Sequence, residues 1–457
     1  MNKSPSELGS SSSTPSKPPF ASLEEWLAYL ERLHPSAIDM GLERVDQVAE
    51  RLIDKAAFPP TITVAGTNGK GSTVLSIDAI ASAHGKRVGT YMSPHLLRYN
   101  ERVRICGREV EDQALLESFA AVESARGEIS LTYFEFGTLA ALWLFQRASL
   151  DLVVLEVGLG GRLDAVNIMS PCVTVITSIA LDHEAWLGNT REQVCFEKAG
   201  IRRHKVPLIC GDPAPPANLA SLCEETQTPL IRIGHEFDAL VVLDSNTRSL
   251  KECSEESKNQ KDHPLKHWCV PRNALLAGNM ACALAALGCW MTLNPELAFT
   301  ALAQLQIPGR RQQLQKNPNV YVDVGHNPHA AKALARWLQE QVAPQSSKVL
   351  QSSKVLALVG MLSDKDHQGT LAEIFPAVDL WQAVSLEGAR GLEGHVLVNC
   401  LMNLASEQKH HAKILPAASS VAAGLETLLS LAEPNDTILV FGSFHTVSAI
   451  LEVYLNH

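Results

Sequence analysis

Along residues 61–210, short β-branched runs alternate with longer stretches whose apolar positions recur at helical spacing. Compact apolar runs predict strands, and a period near 3.6 residues predicts helices. Strands are expected at 61–65, 86–91, 151–157, 173–179 and 206–210, and helices at 72–84 and 134–147. Such alternation builds a parallel sheet with helices on both faces, because parallel neighbours need a crossover. A helical run follows at 273–293. A second alternating region begins near Val320, with strands at 320–323, 354–359, 379–384 and 437–441 and a helix at 330–342. Two α/β domains are therefore expected, with their boundary near 312–319.

Three stretches break the pattern. Residues 1–19 are Ser/Pro-rich and lack the apolar run of a signal peptide, so a disordered tail is expected through residue 20. Residues 244–266 are polar and aperiodic, which predicts an exposed loop or hairpin tip. Residues 345–350 and 351–356 repeat Gln-Ser-Ser-Lys-Val-Leu, read as a tolerated loop insertion. The expected division is a tail at 1–20, a first domain at 21–314 and a second at 315–457.

Composition narrows the function classes. The 46% hydrophobic content allows large cores. A net charge of −10 argues against a nucleic-acid partner, which demands a basic footprint. No apolar stretch reaches the ~20 residues of a membrane span. Ten cysteines with no CxxC pair suggest reduced thiols and a cytoplasmic protein.

The first strand runs into Ala65-Gly-Thr-Asn-Gly-Lys-Gly-Ser72 and then a helix. Glycines let backbone amides converge on one anion, the helix N-terminus adds positive potential, and Lys70 adds a full charge. The run departs from the usual P-loop: Val64 holds the first glycine slot, and Gly71 stands where Ser or Thr is usual. An ordinary Gly-rich turn is the alternative.

Ligands of parallel α/β sheets bind at strand carboxyl ends. There the sequence places Lys70, Ser93, Glu156, Asp182 and His183. A hydroxyl, a carboxylate and an imidazole beside a triphosphate suit Mg²⁺, which takes few protein ligands. Taken singly, a residue such as His183 is more often a satisfied loop histidine than a ligand, and Ser93 also reads as a turn cap before Pro94. A strand-end carboxylate such as Glu156 is costly to bury unpaired. Lys198, by periodicity, reads as a helix-surface lysine. Asp323 suits either a ribose hydroxyl or an Asx-type turn.

Taken in order, the cradle, Ser93-Pro-His-Leu96, Glu156-Val-Gly-Leu-Gly-Gly-Arg-Leu-Asp-Ala165, Ser178-Ile-Ala-Leu-Asp-His183, Glu197-Lys-Ala-Gly-Ile201, Pro308-Gly-Arg310 and Asp323-Val-Gly-His-Asn-Pro328 resemble the folylpolyglutamate synthase branch of the Mur ligase superfamily. Two further segments, 34–44 and Leu131-Thr-Tyr-Phe-Glu-Phe-Gly137, are similar to the branch's bacterial bifunctional members, which also act as dihydrofolate synthases. The resemblance implies a P-loop-type, mostly parallel N-terminal domain and a smaller Rossmann-like C-terminal domain. It implies an ATP-dependent ligase that adds L-glutamate to dihydropteroate and to reduced folates through an acyl phosphate.

Carried over, the resemblance puts Thr67, Asn68, Gly69, Lys70, Gly71 and Ser72 on ATP, joined by Asn279, Arg310 and Asp323. Ser93, Glu156 and His183 would hold Mg²⁺, with two metal sites in all. Ile38, Asp39, Thr132, Tyr133, Phe134, Glu135, Leu163, Asp164 and Ala165 would line the pterin pocket. Lys70 and His183 join the catalytic set, as does Lys198, whose position the family carbamylates. A monomer is expected, since one chain carries the whole set. A chain-extending synthase alone, another Mur-type ligase and a nucleotide-dependent switch are the rival readings.

Overall fold

The computed structural model describes residues 20–242, 266–342, 353–388, 390–408 and 411–455. The tail before Phe20, the polar segment before Lys266 and most of the duplicated hexapeptide lie outside them. Phe20 itself packs against Trp26 and Tyr29, with ring centroids 5.2 and 5.1 Å away. It joins the core although it was expected to close the tail.

The first sheet is built from β1 (Thr61–Ala65), β2 (Val88–Tyr91), β3 (Val103–Ile105), β4 (Arg108–Glu109), β5 (Leu152–Glu156), β6 (Val173–Ile176), β7 (Leu208–Cys210) and β8 (Leu230–Arg232). Their order is β4-β3-β2-β5-β1-β6-β7-β8, parallel from β2 to β8. β3 and β4 add an antiparallel edge that periodicity did not reveal. β1 and β5 are buried along their whole length, as an apolar strand between two helical layers must be. Ile62 and Val64 face one core with the helices Lys70–Ala83 and Ala277–Trp290. Ala65, Val153 and Leu155 face the other, with the helix Tyr133–Arg147. Thr132 and Glu135 cap that helix reciprocally.

β6 stops at Ile176, three residues short of the expected strand. Residues 177–180 leave the strand and brace the glycine-rich turn after β1 instead. β9 (Phe237–Val242) and β10 (Lys266–Pro271) form a separate two-stranded sheet beside the first lobe.

The second sheet comprises β11 (Gln312–Gln315), β12 (Asn319–Asp323), β13 (Val355–Val359), β14 (Leu380–Ala383), β15 (Lys413–Ile414) and β16 (Thr437–Phe441). The order is β11-β12-β16-β13-β14-β15, parallel except for β11. β11 straddles the expected boundary at 314/315 and pairs with β12, so the second sheet recruits chain from Gln312 onward. The molecule is thus mixed α/β with one large and one smaller sheet.

Eight described cysteines are free, but Cys269 is disulfide-bonded, which departs from the expectation of thiols reduced throughout. No helix among the described residues is long and apolar enough to cross a membrane.

Candidate active site

The turn after β1 is held open by glycine and braced from β6. Gly66 and Gly69 have φ of 150° and 87°, and an added Cβ would collide with the Thr177 hydroxyl and the Asn279 carboxamide. Thr67 Oγ1 donates to the Ala180 carbonyl at 2.9 Å, and Asn68 N donates to Ser178 Oγ at 3.0 Å. Thr177 Oγ1 donates to the Asn68 carbonyl at 2.7 Å. Lys70 folds back, its Nζ donating to the carbonyls of Gly66 (3.0 Å) and Thr67 (3.3 Å). Burial lowers its pKa, and the charges of Glu156 and Asp182 oppose that shift.

The cradle opens onto a cavity of about 130 Å³ lined by Thr67, Asn68, Gly69, Lys70, Gly71, Ser93, Glu156, His183, Lys198 and Arg310. Ser93 N donates to Glu156 Oε2 at 3.2 Å. Burial raises the Glu156 carboxyl above its ordinary range, only partly offset by Lys70. His183 adopts a left-handed backbone, φ 53°. Burial, with the charges of Lys365 and Lys70 and against that of Asp182, pushes its imidazole down to about 4, so it stays neutral, with Nε2 3.3 Å from Lys365 Nζ. Among the described residues, no three carboxylate, imidazole or thiolate groups form a metal cage. That sparse donor set fits magnesium, which keeps water and phosphate oxygens, and not a structural metal.

Lys198 is 3% exposed, so the periodicity-based surface reading fails. Burial and the Lys70 charge push its amine down to about 7. It makes no ion pair among the described residues.

Ser72, Asn279 and Asp323 stand behind this wall. Ser72 is buried in the first helical turn, and Asn279 packs against Gly69. Asp323 accepts from Gly325 N at 2.7 Å and Arg311 N at 3.0 Å, the Asx-type turn considered above.

A second cavity of about 660 Å³ adjoins the first. It is walled by Ile38, Asp39, Thr132, Tyr133, Phe134, Glu135, Leu163, Asp164 and Ala165, which the structure brings together from three separate segments. Arg44 ties two of these walls, reaching Asp39 Oδ2 at 2.7 Å and Glu135 Oε1 at 3.0 Å. Burial pushes the Asp164 carboxyl up to about 7, against the amides of Leu159, Val166 and Gly158. Ser93, Gly158, Leu159, His183, His326 and Phe444 line both cavities.

The two lobes meet at this seam. Asp182 Oδ1 accepts from Lys365 Nζ at 2.7 Å, and its Oδ2 accepts from Asn327 Nδ2 at 3.2 Å. Burial alone would raise Asp182, but His326, Lys365 and His183 hold it far below the usual carboxylate range. Asn68 and Asn327 exchange two side-chain hydrogen bonds of 3.0 Å across the lobes.

Sequence reasoning missed Lys365, His326 and Arg102 as wall residues. Lys365 follows β13, so the strand-end rule applied to the second sheet would have found it. Arg102 reaches the cavity through the unforeseen β2–β3 return, which left no periodic signal.

Residues 309–444 match the family described as Mur ligase, glutamate ligase domain. The chain is 44% identical over 432 residues to the dihydrofolate synthase/folylpolyglutamate synthase of Escherichia coli strain K12, across 94% of this chain and 95% of that protein. It is 40% identical over 445 residues to the Haemophilus influenzae protein of the same description, across 93% and 96%. Among solved structures, E. coli FolC in complex with DHPP and ADP has a TM-score of 0.84 at 42% identity, covering 95% of this chain and 98% of that one. A bifunctional folylpolyglutamate synthase/dihydrofolate synthase from Yersinia pestis, complexed with AMPPNP and Mn ion, has a TM-score of 0.79 at 40% identity, covering 96% and 98%. At 40–44% identity to relatives covered to 95–96% of their own length, the chain belongs to the dihydrofolate synthase/folylpolyglutamate synthase family.

Proposed function

We propose that this protein is an ATP-dependent amide ligase that adds L-glutamate to dihydropteroate, giving dihydrofolate, and to the γ-carboxylate of reduced folates. The observation that carries this reading is the pair of cavities with a shared wall. A flat, largely apolar substrate in the wide cavity has its carboxylate end beside the phosphate cradle. A carboxylate is a poor acyl donor, and phosphorylation by ATP gives it a good leaving group. The amine of glutamate then displaces phosphate.

The site residues serve this chemistry by position and charge. Thr67–Lys70 bind the ATP phosphates, and Arg310 supplies a second cation from the turn before β11. Ser93, Glu156 and His183 fit Mg²⁺, which neutralises phosphate charge when bound. Ser72, Asn279 and Asp323 support the nucleotide from behind the cradle. Ile38, Asp39, Thr132–Glu135 and Leu163–Ala165 hold the pterin. We assign 21–314 to the ATP-binding unit and 315–457 to the ligase unit that closes over it, with β11 as their joint.

Lys198 is the carbamylated lysine in this reading. Carbamylation consumes a neutral amine, and burial makes that form available near pH 7. A carbamate would also replace a buried cation beside Lys70 with an anion. Incubation with ¹³C-bicarbonate at pH 8 gives a carbamate carbon resonance that Lys198→Arg lacks. An unchanged spectrum in that variant removes the assignment. The protein acts as a monomer in the cytoplasm, with no nucleic-acid partner. One chain carrying the whole site supports the monomer, the acidic net charge the absence of a nucleic-acid partner, and eight free thiols beside one bonded cysteine the cytoplasm.

The test is phosphate release with ATP, Mg²⁺ and L-glutamate, with dihydropteroate in one reaction and tetrahydrofolate in another. Release in both, with amide products by mass, is expected. Release with tetrahydrofolate alone reduces the protein to a chain-extending synthase.

A further inference from the structure

Three full cations line the wide cavity: Arg102, Lys365 and Arg390. Lys365 is paired with Asp182 at 2.7 Å, and Arg390 with Asp364 at 2.7 Å. Arg102 makes no ion pair among the described residues. The carboxylates of the wall do not answer it either. Asp39 and Glu135 are bound to Arg44, and Asp164 is bound to backbone amides. Glu101, its chain neighbour, accepts from the amides of Leu96, Leu97 and Arg98 at 2.6–2.7 Å.

Arg102 is nevertheless held firmly. Its Nε donates to His95 Nδ1 at 2.8 Å. The guanidinium carbon lies 5.3 Å from the Tyr99 ring centroid and 5.4 Å from that of Tyr133. These contacts fix the plane and leave both Nη groups without a hydrogen-bond partner among the described residues. A pre-set guanidinium with free Nη donors, in a cavity whose other two full cations are already paired, is built for a carboxylate. Its partner His95 stands two residues from Ser93, which lines both cavities, so the guanidinium is held at the side of the wide cavity that adjoins the cradle.

The two acids of the proposed reaction differ in carboxylate count. Dihydropteroate has one, and that one reacts. A folate ending in glutamate has two: the γ-carboxylate reacts, and the α-carboxylate remains spare. We infer that Arg102 binds the spare α-carboxylate of the folate tail, and is therefore a specificity residue for chain extension and not for dihydrofolate formation. This rests on the ligase reading above.

The test compares Arg102→Met with wild type on three acids: dihydropteroate, tetrahydrofolate, and a tetrahydrofolate analogue ending in γ-aminobutyrate. The analogue keeps the reacting carboxylate and lacks the α-carboxylate. Loss of a charge-assisted pair predicts a fall in kcat/KM of roughly 50-fold for tetrahydrofolate, carried mainly by KM. Dihydropteroate and the analogue should change less than about threefold, and Arg102→Lys should recover part of the tetrahydrofolate loss. An equal fall on all three acids gives Arg102 to the incoming glutamate or to the packing of Tyr99 and Tyr133, and overturns the inference. So does no fall on any. If wild type turns over neither dihydropteroate nor tetrahydrofolate, the ligase reading falls first and takes the inference with it.

Discussion

The two cavities share a wall yet are built on opposite principles. The small one is made of strand-end turns, with Glu156 and Lys198 buried and Lys70 half-buried, and all three have their pKa values displaced mainly by burial. The wide one is made of a helix start, a loop at 37–41 and aromatic rings, with its carboxylates already paired or bound to amides. Enclosed charge suits a chemistry common to every substrate. Shape and one unspent cation suit the choice among substrates. Damage to the small cavity should therefore strike both reactions through ATP, damage to the pterin walls of the wide one should strike the acids and spare ATP, and loss of its unspent cation should separate the two acids.

The largest effect is expected from Lys70→Ala. Loss of the cradle cation should lower kcat/KM roughly 1,000-fold with both acids. A variant that kept one reaction would break the division between the cavities.

Glu156→Gln comes next, with roughly a 100-fold fall in both reactions through weakened metal binding. It also carries a stability signature. Burial raises the Glu156 pKa above its ordinary 4.5. Below about pH 4 the carboxyl is neutral whether folded or unfolded and adds no cost. As pH rises, the unfolded chain releases its proton first, and the native state loses stability through the raised pKa. Without nucleotide and metal, Glu156→Gln should therefore melt higher than wild type near neutral pH, with the gain shrinking toward about pH 4. A gain that grew on acidification would show that the buried carboxylate is not destabilising.

Phe134→Ala sharpens the other side. Phe134 packs on Tyr91 with centroids 5.8 Å apart and lines the wide cavity. The substitution should cost the dihydropteroate reaction roughly 20-fold while the KM for ATP stays near wild type. A matching rise in the KM for ATP would mean that the cavities are not separable.

Deleting one copy of the duplicated hexapeptide is the smallest test. A shift in stability within about 0.5 kcal/mol and unchanged kinetics are expected. A larger loss would give the repeat a structural role.

The same contrast explains what could be read in advance. β1, β5 and β16 were legible because a fully buried apolar strand bounded by turns leaves a local signature. The cradle was legible because φ at Gly66 and Gly69 demands glycine there. Lys198 was misread by periodicity, since a buried lysine at a helix end looks like a surface one until the opposite wall is known. The family resemblance, and not spacing, singled it out. β11 and the β3–β4 hairpin were missed because they are short edge strands whose partners set them. Lys365, His326 and Arg102 were missed because their importance lies in what they face across the fold. The Asp182–Lys365 pair joins loops 183 residues apart.

The most direct test of the account follows one oxygen atom. If the wide cavity presents its acid to ATP in the small one, the carboxylate oxygen leaves with the phosphate. With oxygen-18 in the carboxylate of dihydropteroate, and separately in the γ-carboxylate of tetrahydrofolate, mass spectrometry of the released phosphate should show one labelled oxygen per turnover in both cases. Unlabelled phosphate beside a labelled amide product would mean that the carboxylate never attacks ATP, and would contradict the shared-wall mechanism.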